Sequence, residues 1–179
     1  SSTNDENMNF VYALAKILKI KDNSFIKSMD SFLGLPHRYE IFLRRKGITF
    51  INDSKATSFQ ATKAALSSSK NIYWILGGLP KDKDKININL FKKNIIKSFI
   101  IGKNINFFKK QLRNKIKFSV TKNLEKTVIN ALKDIKLLKE SKCTILFSPG
   151  AASFDQYENF EKRGNEFKKL SRHYAKKFI

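Results

Sequence analysis

The sequence predicts an α/β fold, a mostly parallel sheet with helices on both faces, preceded by a short helical segment. Three observations predict it. Apolar runs of strand length alternate along the chain with segments of helical period, the pattern of a parallel sheet. One run, Ile72-Tyr73-Trp74-Ile75-Leu76, contains no charged residue, as expected of a strand buried on both faces. Three runs end in stretches of small, hydroxylic and charged residues, the composition of loops that bind ligands at the carboxyl ends of parallel strands.

The elements follow in chain order. After Ser1-Ser2-Thr3-Asn4-Asp5-Glu6-Asn7, the residues Phe10, Val11, Leu14, Ile17 and Leu18 recur at helical spacing. Asn23 or Ser24 is placed to cap a second short helix bearing Ile26, Met29, Phe32 and Leu33, with Gly34 just past its end and Pro36 as a stop. Two helices this short bury little apolar surface against each other, so residues 1–33 read as the tail of a preceding domain. Residues 34–38 read as a linker and residues 39–179 as the α/β domain.

Within that domain, Tyr39 to Arg44 and Ile48 to Ile51 flank Arg45-Lys46-Gly47, a hairpin signal. A helix is expected over residues 58–69, then the strand at 72–76. A short helix around Leu90 to Asn94 and a strand at Ser98 to Ile101 follow. A helix from Asn104 to Arg113, a strand at Ile116-Lys117-Phe118 and a helix from Leu124 to Lys139 come next. The strand Lys142 to Phe147 and a last helix from about Asp155 toward Lys177 complete the order.

Composition narrows the function classes. A hydrophobic content of 41% supplies a sizeable core. One cysteine, Cys143, excludes an intramolecular disulfide and fits a reducing, cytoplasmic setting. No apolar run approaches the roughly 18 residues of a membrane span, and no basic-then-apolar leader opens the chain. The formal charge of +21 suggests nucleic acid, but the lysines are spread over the whole chain. Without an aromatic RNA-binding motif or paired Cys/His spacing, no specific nucleic acid is expected.

The three loops carry the chemistry. The first, Asn52-Asp53-Ser54-Lys55-Ala56-Thr57, lies between a strand and a helix, where backbone N–H groups are free to meet an anion. Its plainer role is a polar cap on that helix by Asp53 or Ser54. The second, Gly77-Gly78-Leu79-Pro80-Lys81, lets backbone approach a ligand closely and brings an ammonium. The third, Ser148-Pro149-Gly150-Ala151-Ala152-Ser153-Phe154, is built of small residues. Asp155 with Glu158 fits a cap for the last helix, which puts Ser153 beside the helix start. No Ser–His–Asp set, Cys–His pair or metal cluster is evident. The edge therefore binds a small anion but lacks the machinery to transform one alone.

Leu35-Pro36-His37-Arg38, the first loop, Leu76-Gly77-Gly78 with Lys81, and Ser148 through Phe167 with its "SFDQYENFEKRGNEF" run occur in this order. Together they resemble the Mur ligases, in their D-glutamate-adding branch, over essentially the whole chain. The resemblance implies a Rossmann-like third domain plus the end of the second of three domains. It implies ATP with Mg2+, UDP-N-acetylmuramoyl-L-alanine and D-glutamate as partners, and amide formation through an acyl phosphate. Thr57, Lys81, Ser153, Phe154 and Phe160 fall where the family holds D-glutamate. Asn4, Asn7, Arg38, Asp53 and Lys55 fall where it meets nucleotide. Thr3 stands where the family has His, Ser58 where it often has Asn, and Ala151 where it often has Cys. The phosphate-binding Gly-x-x-x-x-Gly-Lys-[Ser/Thr] loop is absent from the sequence, so this segment alone is expected to be inactive. The competing expectations are another Mur or folylpolyglutamate-type ligase domain, and a stand-alone anion- or nucleotide-binding module.

Overall fold

The structure is a computed structural model that describes residues 2–32, 34–139 and 142–179, and side chains from residue 7 onward. The expectations at Leu33 and for the Asn4 side chain fall outside the described residues. The chain divides into two compact units, Ser1–Leu35 and Pro36–Ile179.

The first unit holds α1 (Ser2–Ile17) and α2 (Asp22–Asp30). Lys16 Nζ reaches both carboxylate oxygens of Asp22, at 2.6 and 2.8 Å, and Tyr12 meets Phe25 edge-on. The expected cap is not used. Lys21 precedes α2 without a side-chain cap, and Asp22 supplies the negative charge in the first turn instead. The helix also stops at Asp30, earlier than the position of Gly34 suggested. Apolar side chains stay exposed here, Phe10 at 84% and Ile17 at 75%.

The second unit is a six-stranded sheet. Its strands are β1 (Glu40–Arg45), β2 (Ile48–Asn52), β3 (Ile72–Gly77), β4 (Ile95–Ile101), β5 (Phe118–Lys122) and β6 (Cys143–Phe147). The order across the sheet is β1-β2-β6-β3-β4-β5, with only β1 antiparallel. The sheet is thus mostly parallel, as the alternation of elements implied. The hairpin is tighter than expected: Arg45 pairs Ile48, and Lys46-Gly47 form a two-residue turn with positive φ at both positions.

β3 is buried at every residue, and its side chains alternate between two cores. Tyr73 and Ile75 face α5 (Leu124–Leu138) and α6 (Phe160–Phe178), through Val128, Leu132 and Phe167. Ile72, Trp74 and Leu76 face α3 (Phe59–Ser68) and α4 (Ile105–Leu112), through Leu66 and Phe108. No helix among the described residues is long and apolar enough to cross a membrane.

Three further elements differ from expectation. The segment 88–94 is two 3-10 turns, Ile88–Leu90 and Lys92–Asn94, rather than one helix. β5 begins at Phe118, where the expected strand ended, because Phe118 to Val120 are the residues in register with β4. α6 begins at Phe160. Asn159 caps it by accepting from Lys162 N–H at 2.7 Å, while the Asp155 carboxylate is taken by Lys103 N–H at 2.9 Å.

Candidate functional site

β2, β6 and β3 are neighbours, and Asn52, Phe147 and Ile75 lie side by side at their carboxyl ends. The three loops therefore leave one sheet edge together. Hydrogen bonds then sew them. Gly150 N–H donates to Ala56 O at 2.9 Å, one residue before Thr57. Leu79 and Ala152 exchange a pair of backbone bonds at 2.9 Å each. Lys81 lies two residues beyond that pair and Ser153 one residue beyond it. The glycines serve this sewing: a Cβ on Gly78 (φ +135°) would overlap Ala152 O. The close approach expected of Gly77-Gly78 is thus made to neighbouring protein backbone.

Asp53 does not cap α3; Ser58 does, by accepting from Ala61 N–H. Asp53 instead ties loops together, 8% exposed. Its Oδ2 accepts from Ser148 Oγ–H at 2.6 Å and its Oδ1 from Tyr39 N–H at 3.1 Å. Trp74 Nε1–H fixes the same Ser148 through its carbonyl at 2.8 Å. Burial pushes the Asp53 carboxyl up to about 6, against the pull of Ser148, Tyr39 and the Arg38 charge. Ser54, the other expected cap, sends its hydroxyl to Phe160 O at 2.7 Å.

The remaining expected residues are placed as follows. Lys55 Nζ lies 3.9 Å from the centre of the Phe160 ring, a cation–π contact joining a residue expected at nucleotide to one expected at D-glutamate. Arg38 is exposed, and its charge acts on Asp53. Thr57 is half-buried, Lys81 exposed and Phe154 70% exposed. Ser153 is buried but is not at the start of α6; its carbonyl opens a turn, accepting from Gln156 and Tyr157 N–H. Asn7 lies exposed on α1, in the other unit.

Sequence reasoning missed Arg163. It is 1% exposed, and one nitrogen, Nη2, donates to Ser54 O at 2.9 Å and Ala151 O at 3.0 Å, pinning the first loop to the third. Its Nε and Nη1 are buried without a partner among the described residues. Burial lowers its pKa to about 10, so it stays cationic at neutral pH. The available signal was helical spacing: Phe160, Arg163 and Phe167 share one face of α6, and a charge on an apolar face is seldom buried without a task. His37, in the linker stretch 34–38, is also drawn into the packing. It is 7% exposed, with its pKa lowered by burial and by the Lys168 charge.

The arrangement is a cationic, hydroxyl-bearing edge with fixed backbone, suited to orienting a small carboxylate. No family model matches the chain. Among curated proteins it is 39% identical over 166 residues to the UDP-N-acetylmuramoylalanine–D-glutamate ligase of Wolbachia sp. subsp. Brugia malayi, covering 93% of this chain and 33% of that protein. The ligase of the same name from Rhizobium meliloti is 35% identical, covering 92% of this chain and 35% of that protein. The one from Rickettsia felis is 35% identical, covering 96% and 38%. The chain spans about a third of the length of the relatives it matches, in their C-terminal part. On that similarity the chain belongs to the Mur ligase family, as a counterpart of the C-terminal third of the UDP-N-acetylmuramoylalanine–D-glutamate ligases.

Proposed function

We propose that the chain is the C-terminal part of an ATP-dependent ligase that adds D-glutamate to UDP-N-acetylmuramoyl-L-alanine in the cytoplasm, as a step of peptidoglycan precursor synthesis. The observation that carries this reading is the sewing of three strand-end loops at one sheet edge, in a chain 35–39% identical to D-glutamate ligases over more than nine-tenths of its length. In the reaction the substrate carboxylate takes the γ-phosphoryl group of ATP, releasing ADP. The D-glutamate amine attacks the acyl phosphate, and the tetrahedral intermediate collapses to amide and inorganic phosphate. This segment's part is positional. Lys81 pairs with one carboxylate of D-glutamate, Thr57 and Ser153 donate hydrogen bonds, and Phe154 and Phe160 border the site. Arg38, Asp53 and Lys55 face the nucleotide. Magnesium accompanies ATP in this reading. The described residues gather no group of three His, Cys, Asp or Glu able to hold a metal, so no step through it is assigned to them.

Kinetics of the full-length enzyme test the assignment. A charge-assisted hydrogen bond is worth about 1.5–3 kcal/mol, so Lys81→Ala is expected to raise the KM for D-glutamate roughly ten- to a hundredfold or more, with less effect on ATP. Ser153→Ala is expected to act in the same direction more weakly. Unchanged D-glutamate kinetics in a folded Lys81→Ala enzyme would remove Lys81 from the site.

A further inference from the structure

Two non-glycine residues flank Arg38 in the left-handed region, His37 at φ +65° and Tyr39 at φ +46°. Side-chain-bearing residues keep that conformation only where their surroundings hold it. Three hydrogen bonds hold it here. His37 N–H donates to Glu40 Oε2 at 2.9 Å, Tyr39 N–H to Asp53 Oδ1 at 3.1 Å, and Lys55 N–H to His37 O at 3.1 Å. Asp53 and Lys55 already belong to the nucleotide-facing set. Glu40 does not, yet it is the most heavily bonded carboxylate of the group.

Glu40 collects its donors from three elements. Besides His37 N–H it accepts from Asn52 Nδ2 at 3.1 Å, at the end of β2. Lys168, on α6, donates Nζ to both its oxygens, at 2.9 and 3.3 Å. The Lys168 and Glu40 side chains are only 16% and 25% exposed, so solvent screens the pair less than a surface pair. Burial alone raises the Glu40 pKa, but the His37 N–H and Lys168 outweigh it and hold the carboxyl below its usual range. Asn52 is oriented by Ser54 N–H, which donates to its Oδ1 at 3.2 Å. Its Nδ2 therefore also points at His37 Nδ1, 2.9 Å away, which makes that nitrogen the acceptor and assigns the ring proton to Nε2.

We propose that Glu40, braced by Lys168, is a positioning residue for Arg38: it locks the His37-Arg38-Tyr39 turn and so aims the guanidinium at the nucleotide phosphates. This rests on the placement of Arg38 at the nucleotide given above. Glu40 touches neither substrate nor nucleotide and acts through the turn.

A mutant cycle on the full-length ligase tests this, with Arg38→Ala, Glu40→Ala and the double variant. Glu40→Ala is expected to lower kcat/KM for ATP about ten- to a hundredfold. The KM for D-glutamate is expected to stay within about twofold, since that binding is untouched. In the Arg38→Ala background the Glu40 change is expected to add nothing. Glu40→Gln, whose amide oxygen still accepts from His37 N–H, is expected to recover part of the loss. If Glu40→Ala does not fold, Glu40→Gln combined with Lys168→Met takes its place in the cycle. Equal losses in both backgrounds would overturn the proposal and leave the placement of Arg38 intact. Full activity of Arg38→Ala would instead overturn the placement of Arg38, and this inference with it.

Discussion

Gly164→Ala is expected to destabilise the chain by about 3 kcal/mol, the upper part of the usual range for overpacking a filled site. Helix propensity alone argues the other way, since Ala is better than Gly inside a helix by about 1 kcal/mol. The site decides the sign. A Cβ on Gly164 would overlap His37 Nδ1 and Ser54 Oγ, and would lie 3.0 Å from Asn52 Nδ2. None of these is the loose end of a flexible side chain. Ser54 Oγ is bonded to Phe160 O, and His37 Nδ1 to Asn52, which is itself held by Ser54 N–H and Glu40. Relief requires α6 to move off the loop it packs on, which also disturbs Arg163 on the preceding position. Denaturant unfolding of the chain checks this; a midpoint at or above that of the unmodified chain would contradict it.

The second large effect is a pH dependence centred on Asp53. Its folded pKa of about 6 stands above the ordinary 3.8, so the folded state binds the proton more tightly than the unfolded state. The stability this contributes is complete below pH of about 4 and is lost as pH rises through about 6. A shift of about two pKa units corresponds to about 3 kcal/mol. Asp53→Asn removes that slope while keeping an acceptor for Tyr39 N–H. The stability of the variant minus that of the unmodified chain is therefore expected to grow by about 3 kcal/mol in total from about pH 3 to about pH 7, most steeply between about pH 4 and 6, then level off. Any constant offset from altering the bond to Ser148 leaves this slope untouched. A flat difference across that window would show that Asp53 titrates normally. At neutral pH the unmodified chain thus keeps a destabilising ionised carboxylate between two loops, a cost consistent with the nucleotide-facing place proposed for it.

The sheet was legible because its signals are local. The apolar run at Ile72 to Leu76 needs both faces covered, and Gly47 marked the hairpin turn. The loops were legible for the same reason: polar residues directly after an apolar run can only lie at a strand end. What escaped reading depends on partners distant in sequence. Asp155 looks like a helix cap by itself, but Lys103 N–H, 52 residues away, takes its carboxylate and the cap passes to Asn159. Asp53 and Ser54 look like caps for α3, yet Ser148 and Phe160 claim them. Arg163 sits in the polar string Lys162-Arg163-Gly164-Asn165-Glu166, which hides the fact that α6 turns its guanidinium under two loops. Gly164 gives the matching clue, a glycine inside an otherwise strong helix, which marks close backbone approach.

The central claim is that this segment completes a D-glutamate-adding ligase. It is tested most directly by supplying the full-length enzyme with ATP, UDP-N-acetylmuramoyl-L-alanine and one amino acid at a time, and measuring both phosphate release and amide product. The account predicts coupled phosphate and amide with D-glutamate, and little of either with L-glutamate, L-lysine or D-alanine. Comparable or faster amide formation with one of those three, or none with D-glutamate, would contradict it.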